Sequence, residues 1–436
     1  MSRTAIVSVI LGLAGVAHAD GPPPTQTLTF ESAIQLALGL NPDAAAAKET
    51  LAGAEAKAAG VRSHRWATLN VNAAVDYYKD PYILPFGSLG SFELHKEETT
   101  ATVVQINQPL SGLAYLTELI DAADHQTAAS KRDYDRTRLD IAYHTADAYI
   151  RLLEARASAD VAHKSVADIQ SELDRAKQLR AADTYTDIDV LRFQSAKAAA
   201  DQIAVKADAS IESSLGGLTV QLGLPDGAPI EISDDLPATV PPLALTLEQA
   251  QARAMQSRPE LGSAREQIAA ADNNRKAAWD RYLPDVRAVA QWNHLTHVQP
   301  FAPEDEYFVG LTANWTVWDW LATHHGVEEA EHAKSRATIT AGALADQVKL
   351  DVRKRWLDAR SAFDSLDAVK TQQQAAEEAL RLQKVRFDAA AATTTDVLDA
   401  ETDAARARLA AAIARYDYYL ALVALARSVG DLPSAK

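Results

Sequence analysis

The sequence predicts a mixed membrane protein made twice over from the same parts: a pair of helices, a β-hairpin, a very long helix and a shorter return helix. Three observations carry that prediction. The first is an internal echo, in which Thr186, Asp189, Val190 and Leu191 recur 207 positions later as Thr393, Asp396, Val397 and Leu398. Each copy is a short polar break between long helical patterns, as at a helix–turn–helix tip, and similarity at a fixed offset is the mark of a repeat architecture. The second is length: residues 113–181 and 320–391 contain no proline, and their glycines are confined to the starts and Gly342. The third is a period-two texture confined to one region of each half, which a helical period cannot produce.

The chain opens with Arg3, an apolar run Ala5–Val16 and then Ala17-His18-Ala19, the pattern of a secretory signal over 1–19 with a mature start near Asp20. The run is too short for a membrane anchor and Gly-Pro-Pro-Pro follows it. An exported chain of 436 residues with no cysteine draws its stability from packing or assembly, because a disulfide scaffold is excluded. A net charge of −16 argues against a nucleic-acid partner. No later run of 18 apolar residues appears, so no transmembrane helix is expected, whereas membrane β-strands give a far weaker signal and stay open.

The first repeat spans 20–224. Thr29 and its counterpart Thr246 read as helix N-caps, and Asn41-Pro42 and Arg258-Pro259 break the pattern, since a residue before proline is pushed out of the helical region. Helices over roughly 43–64 and 260–281 follow. Leu69, Val71, Ala73, Val75 and Tyr77 then alternate with polar residues, predicting strands at about 67–78 and 99–108. The second repeat, 245–436, carries its strands at about 284–296 and 306–317. Strands of about ten residues have the length that a tilted membrane strand needs. Tyr77, Tyr78, Tyr82, Trp292, Trp315, Trp318 and Trp320 are expected near strand ends, as in the aromatic girdles of outer-membrane barrels. Strands of a small soluble sheet remain the alternative.

The offset is 217 before the hairpin (Glu49 with Glu266) and 207 after it (His125 with His332), which places ten extra residues within 79–98. The expectation there is a longer loop, where insertions are best tolerated. Beyond the hairpins, some 70 helical residues reach on the order of 100 Å, too long for a rod to wrap its own core. Abundant alanines suit close helix–helix approach instead. The tips fall at about 182–188 and 390–396, return helices follow to about 222 and 429, and the proline-rich stretch 225–244 reads as a linker with one short strand.

No glycine-rich phosphate loop or nucleophile motif is present, so no enzyme and no cofactor is expected. His294 and His297 are spaced for two ligands and His324 and His325 lie near His332, but none has a carboxylate or cysteine at a diagnostic spacing, and no metal site is assigned. His294 and His297 are expected to line a hairpin loop, and the others a solvated helix face.

The duplicated order resembles the TolC-like outer membrane efflux protein family over essentially the whole mature chain. Its marks are Leu28–Pro42 and Leu245–Pro259, Tyr282-Leu283-Pro284 before the second hairpin, Gln108-Pro109-Leu110 after the first, and the Asp-Val-Leu tips. The resemblance implies a homotrimer whose protomers each give four strands to a twelve-stranded barrel in the outer-membrane lipid, continued by a helical tube across the periplasm. It implies an exit duct for efflux or type I secretion, gated at the tips and joined by a periplasmic adaptor and an inner-membrane transporter. Asp189, Asp396 and Asp399 match the family's tip aspartates, and Thr186, Leu191, Thr393 and Leu398 match positions used for adaptor docking. Asp189 and Asp396 also stand where capping residues stand, three positions after Thr186 and Thr393. Three departures are visible: Asp183 and Ala389–Ala392 replace the glycine before each tip, Thr393–Thr395 replaces an arginine at the second, and the first hairpin opens with Arg65-Trp66-Ala67. A non-conducting periplasmic scaffold would share the signal, the helices and the acidity, though not two hairpins of membrane length.

Overall fold

The computed structural model describes residues 26–433 apart from 112, 238, 299–302 and 390. The secretion signal lies outside the described residues. Strand β1 (Gln26–Leu28) leads into α1 (Phe30–Leu40), α2 (Pro42–Ser63), β2 (Thr68–Tyr77), β3 (Tyr82–Pro85), β4 (Ser91–Pro109), α3 (Leu113–Ala181) and α4 (Asp187–Gln221). After β5 (Ile230–Ile232) come α5 (Leu247–Ser257), α6 (Pro259–Asp280), β6 (Asp285–Val298), β7 (Asp305–Asn314), α7 (Ala322–Asp388) and α8 (Thr394–Val429).

Local chemistry sets the helix starts. Thr29 and Thr246 close capping boxes with Ser32 and Gln249, which satisfies amide groups that the first turn leaves free. Asn41 and Arg258 take extended conformations before Pro42 and Pro259, so α1/α2 and α5/α6 are each two helices joined by one residue. The return helices end against these joints. Gly223 (φ +75) would place a Cβ 2.5 Å from the Leu40 carbonyl oxygen, and Gly430 (φ +87) would place one 3.0 Å from the Ser257 carbonyl. Only glycine meets both the left-handed backbone and the close approach.

At 69 and 67 residues, α3 and α7 each run for about 100 Å. A middle belt braces them. There β1 pairs in parallel with β5, the short strand of the linker, and Phe30, Ile34, Ile150, Leu153, Leu218, Leu222 and Tyr419 pack into a core. Tyr149, fully buried, donates to the Leu28 carbonyl (3.1 Å) and contacts Asp235 Oδ1 (3.0 Å) and the Ser233 carbonyl (2.5 Å). Burial pushes its phenol well above the ordinary range. The rest of the linker is strapped to α8, where Tyr418 and Tyr419 donate to the Pro241 and Pro237 carbonyls at 2.7 Å each. Helix α8 carries an 18-residue window of mean hydropathy 1.4, long and apolar enough by composition to cross a membrane. No such helix was expected from the sequence. The apolar residues of α8 include the tyrosines of this belt and a buried face set against α3 and α7.

The strands form one antiparallel sheet in the order β2-β4-β6-β7. Register assigns its faces. Leu69 pairs with Ile106, Ile106 with Ala290 and Ala290 with Val309; the next row on that face is Val71, Val104, Trp292 and Tyr307. The opposite face has the rows Asn70, Gln105, Gln291, Phe308 and Asn72, Val103, Asn293, Glu306. Across these two rows one face is thus apolar and solvent-exposed in the single chain, with Val309 at 83 % and Tyr307 at 82 % exposure; the next row on it (Ala73, Thr102, His294, Asp305) turns polar, and the other face is mostly polar.

Three expectations are corrected here. The ten extra residues of the first hairpin form no longer loop: β3 pairs with the outer half of β4, so the hairpin is lengthened as sheet, which satisfies backbone groups a loop would leave to water. His294 sits within β6, with Nδ1 2.9 Å from Asp305 on β7, and the backbone of His297 is also in β6. Trp292 is mid-strand, its indole donating to Asp305 at 3.2 Å, because register and not proximity to a turn fixes its level.

Candidate gate at the helical tips

Each tip is built by closing one helix and capping the next. Helix α3 ends with the Thr184 amide donating back to the Leu179 carbonyl (2.9 Å), a closure that demands a left-handed residue, and Asp183 supplies it at φ +56. Aspartate tolerates this conformation better than most side chains, so Asp183 does the work of the glycine that relatives place there. At the end of α7 the Ala391 amide donates to the Arg386 carbonyl at 2.8 Å.

The return helices start on two capping boxes of the same form. The Thr186 amide (3.1 Å) and hydroxyl (2.7 Å) donate to Asp189 Oδ2, and the Asp189 amide donates back to Thr186 Oγ1 (3.4 Å). At the second tip the Thr393 amide (2.7 Å) and hydroxyl (2.8 Å) donate to Asp396 Oδ2. Both carboxyls are held below the usual carboxylate range, Asp189 chiefly by the Thr394 hydroxyl and then by Thr186, Asp396 chiefly by the Thr393 backbone N–H. Under the caps, Phe193, Phe387, Val397, Leu173 and Ala176 form a small core, with Tyr185 edge-on to Phe387 at 5.2 Å.

The two tips are tied to each other. The Thr394 hydroxyl, on a residue 4 % exposed, donates to Asp189 Oδ1 at 2.6 Å. Arg192 Nη1 donates to the Thr395 hydroxyl at 3.0 Å, and Arg175 forms an ion pair with Asp388. Asp189 is therefore both a cap and a cross-link, whereas Asp396 is a cap alone. Asp399 is exposed and makes no hydrogen bond or ion pair among the described residues. Of the four positions matched to adaptor docking, Thr186 and Thr393 spend their hydroxyls on the caps, Leu398 packs against the tip core, and Leu191 is 61 % exposed.

Above the tips lies a buried charge cluster that the sequence reading missed. Glu401 on α8, 3 % exposed, lies 3.2 Å from Lys384 Nζ and 3.7 Å from Arg408 Nη1. Lys384 also reaches Glu172 (3.2 Å), and Arg408 reaches Asp168 and Glu377 (3.1 Å each), so the cluster joins α3, α7 and α8. Burial pushes the Glu401 carboxyl up, against the pull of Lys384. Two of these pairs, Lys384–Glu172 and Arg408–Asp168, span more than 200 positions, and the cluster carries no signal among sequence neighbours. Arg192 did carry one: it occupies the position equivalent to Asp399, an opposite charge at the same place in two otherwise similar tips.

The comparisons agree with this architecture. The family model described as outer membrane efflux protein matches residues 33–224 and 251–431. The outer membrane efflux protein BepC of Brucella suis biovar 1 (strain 1330) is 24 % identical over 409 residues, covering 89 % of this chain and 87 % of that protein. The fold is similar to CusC (TM-score 0.80, 14 % identity, 92 % of each chain) and to the Vibrio cholerae outer membrane protein VceC (0.78, 17 %, 93 % and 97 %). It is also similar to the open state of the Neisseria gonorrhoeae MtrE outer membrane channel (0.75, 17 %, 93 % and 90 %). The chain belongs to the outer membrane efflux protein family, a family of transport proteins of the outer membrane whose helices extend into the periplasm.

Proposed function

We propose that this chain is the outer-membrane exit duct of a tripartite efflux or type I secretion system, conducting passively and gated at the helical tips. The carrying observation is the run of four long strands β2-β4-β6-β7, extended outward by the short β3, with an apolar band on one face and open edges on β2 and β7. An open edge is not tolerated in lipid, so the sheet needs further copies, and three copies would close a barrel of twelve strands. The apolar rows would then meet lipid, and the rows of Asn70, Gln105 and Gln291 would line an aqueous lumen. A non-conducting scaffold gives no reason for strands of this length with this alternation. The repeats, taken as 20–224 and 245–436 with the linker 225–244 between them, would alternate around the tube.

Gating follows from the tips. In a trimer Asp189, Asp396 and Asp399 would recur around the narrow end, where carboxylates favour cations and attract cationic groups of an adaptor or transporter. Leu191 is the docking position left free to touch such a partner; Thr186, Thr393 and Leu398 would act by shaping the tip. Membrane fractionation with gels of unheated and boiled samples tests the duct. A heat-sensitive trimer in the outer-membrane fraction is expected, and a soluble monomer or dimer would overturn the reading. Bilayer recordings of Asp396→Ala and Asp399→Ala test the gate; unchanged selectivity and gating in both would remove these two from it.

A further inference from the structure

The charge cluster above the tips is out of balance. It sets four carboxylates, Glu401 on α8, Glu377 on α7, and Glu172 and Asp168 on α3, against two cations, Lys384 on α7 and Arg408 on α8. Both cations are shared. Arg408 donates to Glu377 and to Asp168 at 3.1 Å each, and Lys384 divides itself between Glu172 and Glu401 at 3.2 Å each. Lys164 on α3 adds a pull at Glu377, on the more exposed side of the cluster. Glu401, 3 % exposed, is the deepest of the four carboxylates, and neither of its oxygens accepts a hydrogen bond among the described residues. Burial and an excess of like charge both favour the neutral form of a carboxyl in such a place.

The position of the cluster couples it to the arrangement of the helices. Its bridges join α3 to the α7/α8 pair, and Glu401 follows the capping box of Thr393 by about two turns. The first half has no equivalent. At the offset of 207, Glu401 corresponds to Gln194, Arg408 to Asp201 and Glu377 to Gln170, and Lys177, the counterpart of Lys384, pairs with Asp174 one turn away on its own helix. A neutral amide thus stands at the matching place in α4, and the buried carboxyl belongs to one hairpin alone.

We propose that Glu401 is a proton-binding site of the gate, taking up a proton when the α7/α8 pair lies against α3 and releasing it when the pair moves away and water enters the cluster. The proposal rests on the gated-duct reading above, in which the arrangement with both tips tied is the closed one. Parting α8 from α3 hydrates Glu401 and withdraws it from Glu172 and Asp168, so the open state holds the carboxylate and the closed state the acid. The sign follows from the raised pKa of the buried carboxyl: the closed state binds more protons, is favoured on acidification, and loses that preference as pH rises through the raised value. One proton changes the closed-to-open ratio by up to about tenfold per pH unit between the ordinary and the raised value. The capping carboxyls of Asp189 and Asp396, held below the usual range, stay charged throughout, so each tip moves whole and Leu191, already exposed, keeps its accessibility.

The test is the open fraction of single channels of the full chain in planar bilayers, from about pH 5.5 to about pH 8.5, a range above the ordinary glutamate pKa. The wild-type channel is expected to close on acidification. Glu401→Gln, which places the residue found at Gln194 in the cluster, should stay at the acid-closed level at every pH while running as an unheated trimer. Glu377→Gln removes one excess charge without touching the bridges to α3 and frees Arg408 for Glu401, so it should keep the response and move its midpoint to lower pH, a shift that a merely structural role does not produce. If Glu401→Gln yields no trimer, the midpoint of Glu377→Gln decides. Wild-type gating that ignores pH, a response that persists in Glu401→Gln, or an unmoved midpoint in Glu377→Gln overturns the proposal and leaves the gated duct standing. A conductance that closes at no pH overturns the gate and this proposal with it.

Discussion

Substituting Thr394 by valine separates the cross-tip tie from the caps. Valine keeps the shape and branching of threonine and removes only the hydroxyl that donates to Asp189 Oδ1 at 2.6 Å. The Asp189 capping box, made with Thr186, stays whole. A hydrogen bond to a charged group contributes about 1.5–3 kcal/mol, and the partial exposure of Asp189 discounts this to about 1–1.5 kcal/mol. If opening parts the two tips, the tie exists only in the closed state, and its loss favours opening roughly tenfold, since about 1.4 kcal/mol is a factor of ten. The assay is the open fraction of single channels in planar bilayers, read for Thr394→Val, Asp189→Asn and the double variant. The expected cycle has a coupling of about 1 kcal/mol, with the double variant close to the stronger single one. An open fraction equal to wild type in Thr394→Val, with no coupling to Asp189→Asn, would refute the tie as a closing element.

The other predictions address the belt, the charge cluster and the sheet. Tyr149→Phe leaves a buried group of acceptors without their donor and should destabilise by about 1–3 kcal/mol, read as a lower temperature of trimer dissociation in unheated gels. The folded pKa of Glu401 is raised, so its effect on stability is most favourable below the ordinary glutamate range and is lost as pH rises through the raised value. Glu401→Gln should therefore leave the helical tube as stable or more stable at neutral pH and flatten its gain on mild acidification, measured by thermal melts across pH. Asp189 and Asp396 have the opposite sign: their stabilisation is present above the ordinary aspartate pKa and fades only as pH falls below it, so tip accessibility to a thiol probe at Leu191→Cys should not change between neutral and mildly acid pH. Val309→Arg, midway along β7 on the apolar face, should cost about 2–4 kcal/mol of membrane stability and reduce the outer-membrane fraction, whereas Gln291→Arg on the polar face should not.

What the sequence determined by itself is whatever rests on neighbours along the chain. Capping boxes at Thr29, Thr186, Thr246 and Thr393 need a hydroxyl and a partner three residues on, so they can be read from the letters. Proline at 42 and 259, the alternation in β2 and the unbroken reach of α3 and α7 are equally local, and the fixed offsets between halves tied them into one architecture. Only the tertiary structure decided which residues meet across the chain. It brought Thr394 to Asp189 and Arg408 to Asp168, withdrew Thr186 and Thr393 from the surface chemistry open to a partner, and paired β3 with β4 where a loop was expected. The physical reason is that a helix of 67 residues presents every side to something, and its periodicity is the same whichever neighbour covers it. A near-uniform, alanine-rich pattern therefore encodes the rod and not its contacts, which are fixed by where the glycines at 223 and 430 let the return helices close on the belt.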